Sequence, residues 1–235
     1  MLRELKPIII FICTPSPFRE FIIDASKKKE DFLIYESRKN FKVDYEIKTQ
    51  EETNVNYELF KTPSISNNLH KIKNINDEKL LQIISSIKGE KYIILSGANF
   101  IKKTQLEKLY EIHNLSGIYN IHFGNCLTYR GLDSNLWASY HEDFSNIGIS
   151  LHEVNSELDK GDLVIYKKLP KFKNISDLKH NEVFIAKEIL KEFRFMIDSN
   201  IPFPHIENNG YGRYYGPMPS CLRKLAFDKI LKNLK

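Results

Sequence analysis

The run Pro7-Ile8-Ile9-Ile10-Phe11-Ile12-Cys13 is the feature that most restricts what this chain can fold into. It shows no alternation of polar and apolar residues, so both faces of the strand it forms must be covered, as in a parallel sheet between helices. Thr14-Pro15-Ser16-Pro17 breaks the run. Proline suits the first turn of a helix, predicted here through Phe21, Ile22 and Ala25.

The same succession repeats along the chain. Asp31-Phe32-Leu33-Ile34-Tyr35 reads as a second strand and residues 69–73 as a third, while residues 38–68 are polar and irregular. Asn76 and Asp77 have the chemistry of helix caps before the periodic Leu80, Leu81, Ile83, Ile84 and Ile87, and Gly89 is expected to end that helix. Lys91-Tyr92-Ile93-Ile94-Leu95-Ser96 is another buried strand, followed by a turn at Gly97-Ala98-Asn99 and a helix carrying Leu106, Leu109 and Ile112. The alternation predicts an α/β fold: a Rossmann-like, open, mostly parallel sheet with helices on both faces. Residues 1–200 form the expected principal domain. Residues 201–235 form a short C-terminal extension with a Gly/Tyr segment (210–216) and a last amphipathic helix over 222–234.

Two missing motifs count against two large function classes. The first turn contains no glycine, so the dinucleotide fingerprint of nicotinamide-dependent oxidoreductases is missing, and no GxxxxGK[ST] motif occurs for ATP hydrolysis. The net charge of +5 comes with lysines spread along the whole chain, and no basic block is interleaved with aromatics. A nucleic-acid partner is therefore not expected, whereas an anionic small molecule is compatible. Three distant cysteines, Cys13, Cys126 and Cys221, suggest neither a disulfide framework nor a metal site. The apolar run at 7–13 is too short to span a membrane and lacks a signal-peptide cleavage site. A cytoplasmic protein is expected.

Chemistry concentrates in the second half. Gly117-Ile118-Tyr119-Asn120-Ile121-His122 is an apolar strand that ends in two polar residues. Alternation puts Asn120 and His122 on one face, roughly 6–7 Å apart along the backbone, where an amide and an imidazole can act on one carbonyl; taken by itself, the pair reads more readily as two side chains that satisfy loop backbone groups. Tyr129-Arg130-Gly131 follows, then a helix with Leu136, Trp137 and Ala138, with Trp137 expected in the core. Gly148-Ile149-Ser150-Leu151-His152 has strand character, and Leu158-Asp159-Lys160-Gly161-Asp162 makes a tight acidic turn before a returning strand at 163–166. A long amphipathic helix is predicted from about 177 to 199, with Val183, Ile185, Ala186, Ile189, Leu190, Phe193 and Met196 inward.

In this order and spacing the three motifs resemble the family of formyltransferases that use 10-formyltetrahydrofolate. That family includes the methionyl-tRNA, glycinamide ribonucleotide and sugar N-formyltransferases. The resemblance runs from Pro7 to about Pro170. It departs after His122, where the chain reads Phe123-Gly124-Asn125-Cys126-Leu127-Thr128 in place of the family's Pro-Ser-Leu-Leu-Pro or Gly-Ser-Leu-Leu-Pro. About 60 residues follow the returning strand, too few for the separate nucleic-acid module of the transfer-RNA enzymes.

The resemblance implies a catalytic trio. Asn120 would hold the formyl oxygen, His122 would stabilise the oxyanion as a cationic or hydrogen-bonded imidazole, and Asp159 would keep His122 protonated and relay the amine's proton. As a bland alternative, Asp159 is an ordinary Asp-x-Gly turn residue. The pterin of the cofactor would touch the 97–101 turn (Gly97, Asn99, Phe100, Ile101) and the 155–159 loop (Asn155, Glu157, Leu158). Thr14, Tyr129 and Arg130 are candidates for the acceptor side, with Arg130 as a phosphate or carboxylate fork; loop fixing is the equal alternative for the last two. His152 reads as a structural histidine at a strand end. The implied acceptor is the amine of a nucleotide-linked amino-deoxysugar, thymidine-diphosphate-linked, for surface polysaccharide. Glycinamide ribonucleotide is the alternative acceptor, and a non-catalytic folate- or nucleotide-binding module the alternative class. No metal is implied, and a closed homodimer is the default assembly.

Overall fold

The structure is a computed structural model that describes residues 6–37 and 68–232; the polar stretch 38–67 lies outside them. The first run forms strand β1 (Ile8–Cys13), followed by helix α1 (Pro17–Asp24) and β2 (Phe32–Glu36). Next come β3 (Leu69–Ile72), α2 (Glu78–Ser86), β4 (Lys91–Ser96), α3 (Lys103–Tyr110) and β5 (Leu115–His122). The second half carries β6 (Tyr129–Gly131), α4 (Ser134–Tyr140), β7 (Gly148–Glu153), β8 (Leu163–Lys168) and α5 (Ile175–Asp198). It ends with β9 (Arg213–Tyr215) and α6 (Ser220–Lys232).

Seven strands form one sheet in the order β3-β2-β1-β4-β5-β7-β8. The first five run parallel, and β7 and β8 add antiparallel neighbours beside β5. Because consecutive strand side chains point to opposite faces, the central strand feeds two cores. Ile9, Phe11 and Cys13 enter the layer shared with Ile22, Ile189 and Phe193 of α1 and α5. Ile10 and Ile12 enter the layer shared with Leu80, Ile84, Leu106 and Leu109 of α2 and α3. The unbroken apolar run is thus explained by burial on both sides.

Several expectations shift in detail. Helix α5 begins two residues early, because the Asn174 side chain caps it by accepting from Asp177 N at 2.8 Å. Helix α2 ends at Ser86 with Ile87 already extended, so Gly89 (φ +92°) serves the turn into β4 and not the helix end. Trp137 is half-buried: it stacks on Tyr215 at 5.0 Å and donates to Gly216 O at 2.9 Å.

Candidate active site

Asn120 and His122 stand at the carboxyl end of β5, where β7 has turned antiparallel beside it and brings His152 opposite Asn120. The turn after β7 supplies Asp159 in the left-handed region (φ +51°). Gly161 makes that turn feasible, since a Cβ there would lie 1.8 Å from Glu153 O. The result is a buried polar cluster, with His122 5%, His152 2% and Asp159 6% exposed.

Its hydrogen bonds fix the orientations. His122 Nε2 lies 2.8 Å from Tyr129 O. A carbonyl only accepts, so Nε2 carries the proton of the neutral ring. Nδ1 then holds the lone pair, 3.4 Å from Asp159 Oδ2. His152 Nδ1 lies 2.6 Å from Glu153 O, and its Nε2 lies 3.2 Å from Asn120 Nδ2 and 3.3 Å from Asp159 Oδ1. Asn120 Nδ2 donates to Asp159 Oδ1 at 3.2 Å, and Gly131 N donates to Asp159 Oδ2 at 2.8 Å.

Electrostatics separates the two titratable partners. Burial holds the His122 imidazole below its ordinary pKa and outweighs the Asp159 carboxylate that would raise it. Burial would raise Asp159, but the two neighbouring imidazoles and the Gly131 N–H prevail and hold its carboxyl well below the usual range. Burial thus works against the role expected of Asp159, that of keeping His122 protonated. Asn120 Nδ2 faces Asp159 and His152, and Oδ1 is the atom for which no described residue provides a donor.

Two openings meet at this cluster. A narrow pocket is lined by Asn99, Phe100 and Ile101 on one side and Asn155, Glu157 and Leu158 on the other, with Asn120, His152 and Asp159 at its inner end. Six of the seven residues expected to touch a cofactor thus share one pocket. Gly97 (φ +62°) lies instead in the adjoining cleft of about 720 Å³, directly under the Arg19 guanidinium. That cleft also holds Asn120, His122, Asp133, Asn135, Asp159, Lys179, Glu182 and Arg223.

The acceptor-side expectations fare differently. Thr14, Tyr129 and Arg130 do not line the cleft. Thr14 Oγ1 donates to Gly97 O at 3.3 Å and pins that turn. The Tyr129 hydroxyl donates to Asp143 at 3.2 Å and its ring stacks on Tyr215 at 5.5 Å, while Arg130 Nε donates to Gly212 O at 2.6 Å. Loop fixing is what these two residues do, because β9 pairs in parallel with β6 and draws both side chains toward the C-terminal segment.

The charged wall of the cleft (Arg19, Lys179, Glu182, Arg223) escaped the sequence reading. Glu182 is 2% exposed, accepts from Asn135 Nδ2 at 2.9 Å and pairs with Lys179 at 2.9 Å. A charged residue beside Val183 and Ala186 on an apolar helix stripe was the available signal. His152, read as structural, belongs to the cluster itself.

Comparison of the sequence with protein-family models and with curated proteins finds no match. Comparison with solved structures does. A sugar N-formyltransferase from a Shewanella species superposes with a TM-score of 0.60 at 14% identity, covering 95% of this chain and 87% of the other. A formyltransferase from Anoxybacillus kamchatkensis, in complex with UDP-4,6-dideoxy-4-formamido-L-AltNAc and tetrahydrofolate, gives 0.57 at 15% identity over 88% and 85% of the two chains. An N-formyltransferase from Helicobacter canadensis, in complex with folinic acid and dTDP-3-aminofucose, gives 0.57 at 15% over 97% and 82%.

The chain has the formyltransferase fold.

At such identities the likeness is one of architecture. The formyltransferase fold accounts for the seven-stranded, mostly parallel sheet and for its crevice at the carboxyl ends of the central strands, where open α/β sheets bind ligands. None of the described helices is long and apolar enough to cross a membrane.

Proposed function

We propose that this protein is an N-formyltransferase that moves a formyl group from 10-formyltetrahydrofolate to the primary amine of a nucleotide-linked amino sugar. The observation that carries the reading is the buried Asn120–His122–Asp159 cluster at the meeting point of a narrow pocket and a charged cleft. The apolar Phe100 and Leu158 on the pocket suit a flat heterocycle, and Arg19 and Lys179 on the cleft suit an anionic acceptor. Guanidinium and ammonium groups suit a diphosphate. The solved formyltransferases with UDP-linked and dTDP-linked sugars support that choice of acceptor.

The chemistry follows from the atoms that remain available. Asn120 Oδ1 accepts a hydrogen bond from the amine and aims the amine's lone pair at the formyl carbon. As the C–N bond forms, the amine's excess proton passes to His122 Nδ1, and the carbonyl becomes an oxyanion. Asp159 stabilises the imidazolium so created. Collapse of the tetrahedral adduct breaks the bond to the folate N10, which takes the same proton back from His122. General-base and general-acid assistance of this kind contributes about 10²–10⁴-fold. His152 orients Asn120 and so acts through it.

The test is a formyl-transfer assay with 10-formyltetrahydrofolate and amino-sugar nucleotides bearing 3-amino or 4-amino groups, following release of tetrahydrofolate. Turnover that vanishes in His122→Ala, with tetrahydrofolate binding retained, is the expected result. Faster formylation of glycinamide ribonucleotide would reassign the acceptor. Folate binding without transfer to either acceptor would make the protein a binding module.

A further inference from the structure

The 97–102 connection between β4 and α3, which forms one wall of the narrow pocket, is held by two side chains from the neighbouring edge of the sheet. Glu36, the last residue of β2, is wholly buried. Its Oε2 accepts from Asn99 N at 2.8 Å and its Oε1 from Ile75 N at 2.6 Å. Asn76, just before α2, donates from Nδ2 to Phe100 O at 2.9 Å and accepts at Oδ1 from Lys102 N at 2.7 Å. Asn76 is itself anchored, since its N and Nδ2 both donate to Asn74 Oδ1, at 2.8 and 3.0 Å.

These bonds divide the backbone of the loop into two sets. Asn99 N, Phe100 O and Lys102 N are taken by Glu36 and Asn76, and Gly97 O by Thr14. Phe100 N and the N–H and C=O of Ile101 bond to no described residue, although Ile101 is only 3% exposed and lines the pocket. Backbone groups in such a position normally have a partner. A ring with alternating donors and acceptors on one edge supplies one.

We infer that Glu36 and Asn76 are positioning residues that hold the 97–102 loop so that its unpaired backbone groups meet the edge of the donor's pterin. The assignment rests on the folate reading above and adds two residues that touch neither the donor nor the reacting atoms. A carboxylate is needed at 36 because two N–H groups from different segments converge on it and only an acceptor-only group serves both. An amide is needed at 76 because it must donate to a carbonyl and accept from an N–H at the same time. Holding the loop before the ligand arrives removes an ordering cost from binding. Glu36 and Asn76 bond to Asn99, Phe100 and Lys102, none of which lines the acceptor cleft, whereas Gly97 and Ala98 of the same loop do.

The experiment compares wild type, Glu36→Gln and Asn76→Ala in the full chain. Calorimetric affinity for tetrahydrofolate is measured together with KM for 10-formyltetrahydrofolate and for the acceptor. Glu36→Gln turns one oxygen into an amide that faces an N–H, and should raise the donor Kd and KM tenfold or more. Asn76→Ala, at a half-buried site, should raise them severalfold even if Glu36→Gln fails to fold. In both variants the acceptor KM should stay within twofold, a split that general loosening of the structure would not produce. Unchanged donor affinity in a folded Asn76→Ala, or equal shifts in donor and acceptor KM, overturns the assignment while the functional reading stands. Failure of the wild type itself to bind tetrahydrofolate overturns the functional reading first.

Discussion

His122 Nδ1 and Asp159 Oδ2 stand 3.4 Å apart, and both side chains are 5% exposed. The separation is longer than a hydrogen bond, and a proton arriving on Nδ1 would lie between the two groups.

The pH dependence follows from the burial of that pair. Burial puts the His122 pKa below its ordinary 6.5, so the free base that the reaction uses is present throughout neutrality. As pH falls through the depressed pKa the ring protonates, and kcat/KM declines. The acid limb of the profile should therefore lie below 6.5. In Asp159→Asn the carboxylate that raises the imidazole pKa is gone, so the limb moves to still lower pH, and kcat falls by about 10²-fold because the imidazolium loses its counter-charge. Initial rates between about pH 5 and pH 8 read both effects. An acid limb above 6.5, or one that Asp159→Asn leaves in place, would contradict the neutral-base role.

Gly161→Ala tests whether the acidic turn positions Asp159. The new Cβ would sit 1.8 Å from Glu153 O, a backbone atom of β7 that cannot yield without breaking the ladder to β5. The turn must open, and Asp159 moves relative to His122. Misplacement by about 1 Å costs on the order of 10²-fold in rate. Expected is a kcat loss of that size with a lowered melting temperature, and a variant with wild-type kcat would show that the turn tolerates the displacement.

Much of this was legible in the sequence for a simple reason: strands buried on both faces must be written in long apolar runs, and those runs at 8–13 and 91–96 stand out. Strand alternation put Asn120 and His122 on one face, but their grouping with Asp159 in one site came from the resemblance of the three motifs, since turn chemistry alone leaves Asp159 an ordinary turn residue. Tyr129 and Arg130 were not. Their direction depends on pairing between β6 and β9, two three-residue strands more than 80 positions apart with no periodicity to announce them. Nor could the charge state of His122 be read, since it is a competition between burial and a carboxylate, and sequence supplies only the carboxylate. Arg19, Lys179 and Arg223 reach one cleft from three separate helices, a convergence that no local pattern encodes.

Asp31 offers a stability prediction away from the chemistry. Its carboxylate is fully buried, accepts from Ile9 N at 2.8 Å and Lys28 N at 2.7 Å, and pairs with Arg194, itself only 5% exposed. Removing one partner of a buried pair strands the other, at a cost of about 3–5 kcal/mol. Asp31→Ala should lose that much in urea unfolding, a large part of the roughly 5–15 kcal/mol that a domain possesses. A loss under about 1 kcal/mol would mean that water or rearrangement replaces the pair.

Asn208 ties the C-terminal segment to the acidic turn, and its substitution separates a strap from a passive tail. Its Nδ2 donates to Asp159 O at 3.2 Å and to Gly161 O at 3.4 Å, its N donates to Asp162 Oδ1 at 3.1 Å, and its Oδ1 accepts from Gly210 N at 3.1 Å. Asn208→Ala removes the two donations to the turn, a loss of about 1–2 kcal/mol. Asn208→Asp keeps the size and the acceptor but faces two carbonyl oxygens with a negative oxygen, so it should push the turn away. If the strap helps to aim Asp159, kcat falls in both variants and further in Asn208→Asp, even where the two melt at the same temperature. Equal kcat in wild type and Asn208→Asp would sink the idea, and the segment would then contribute only the covering it gives to β6 and α4.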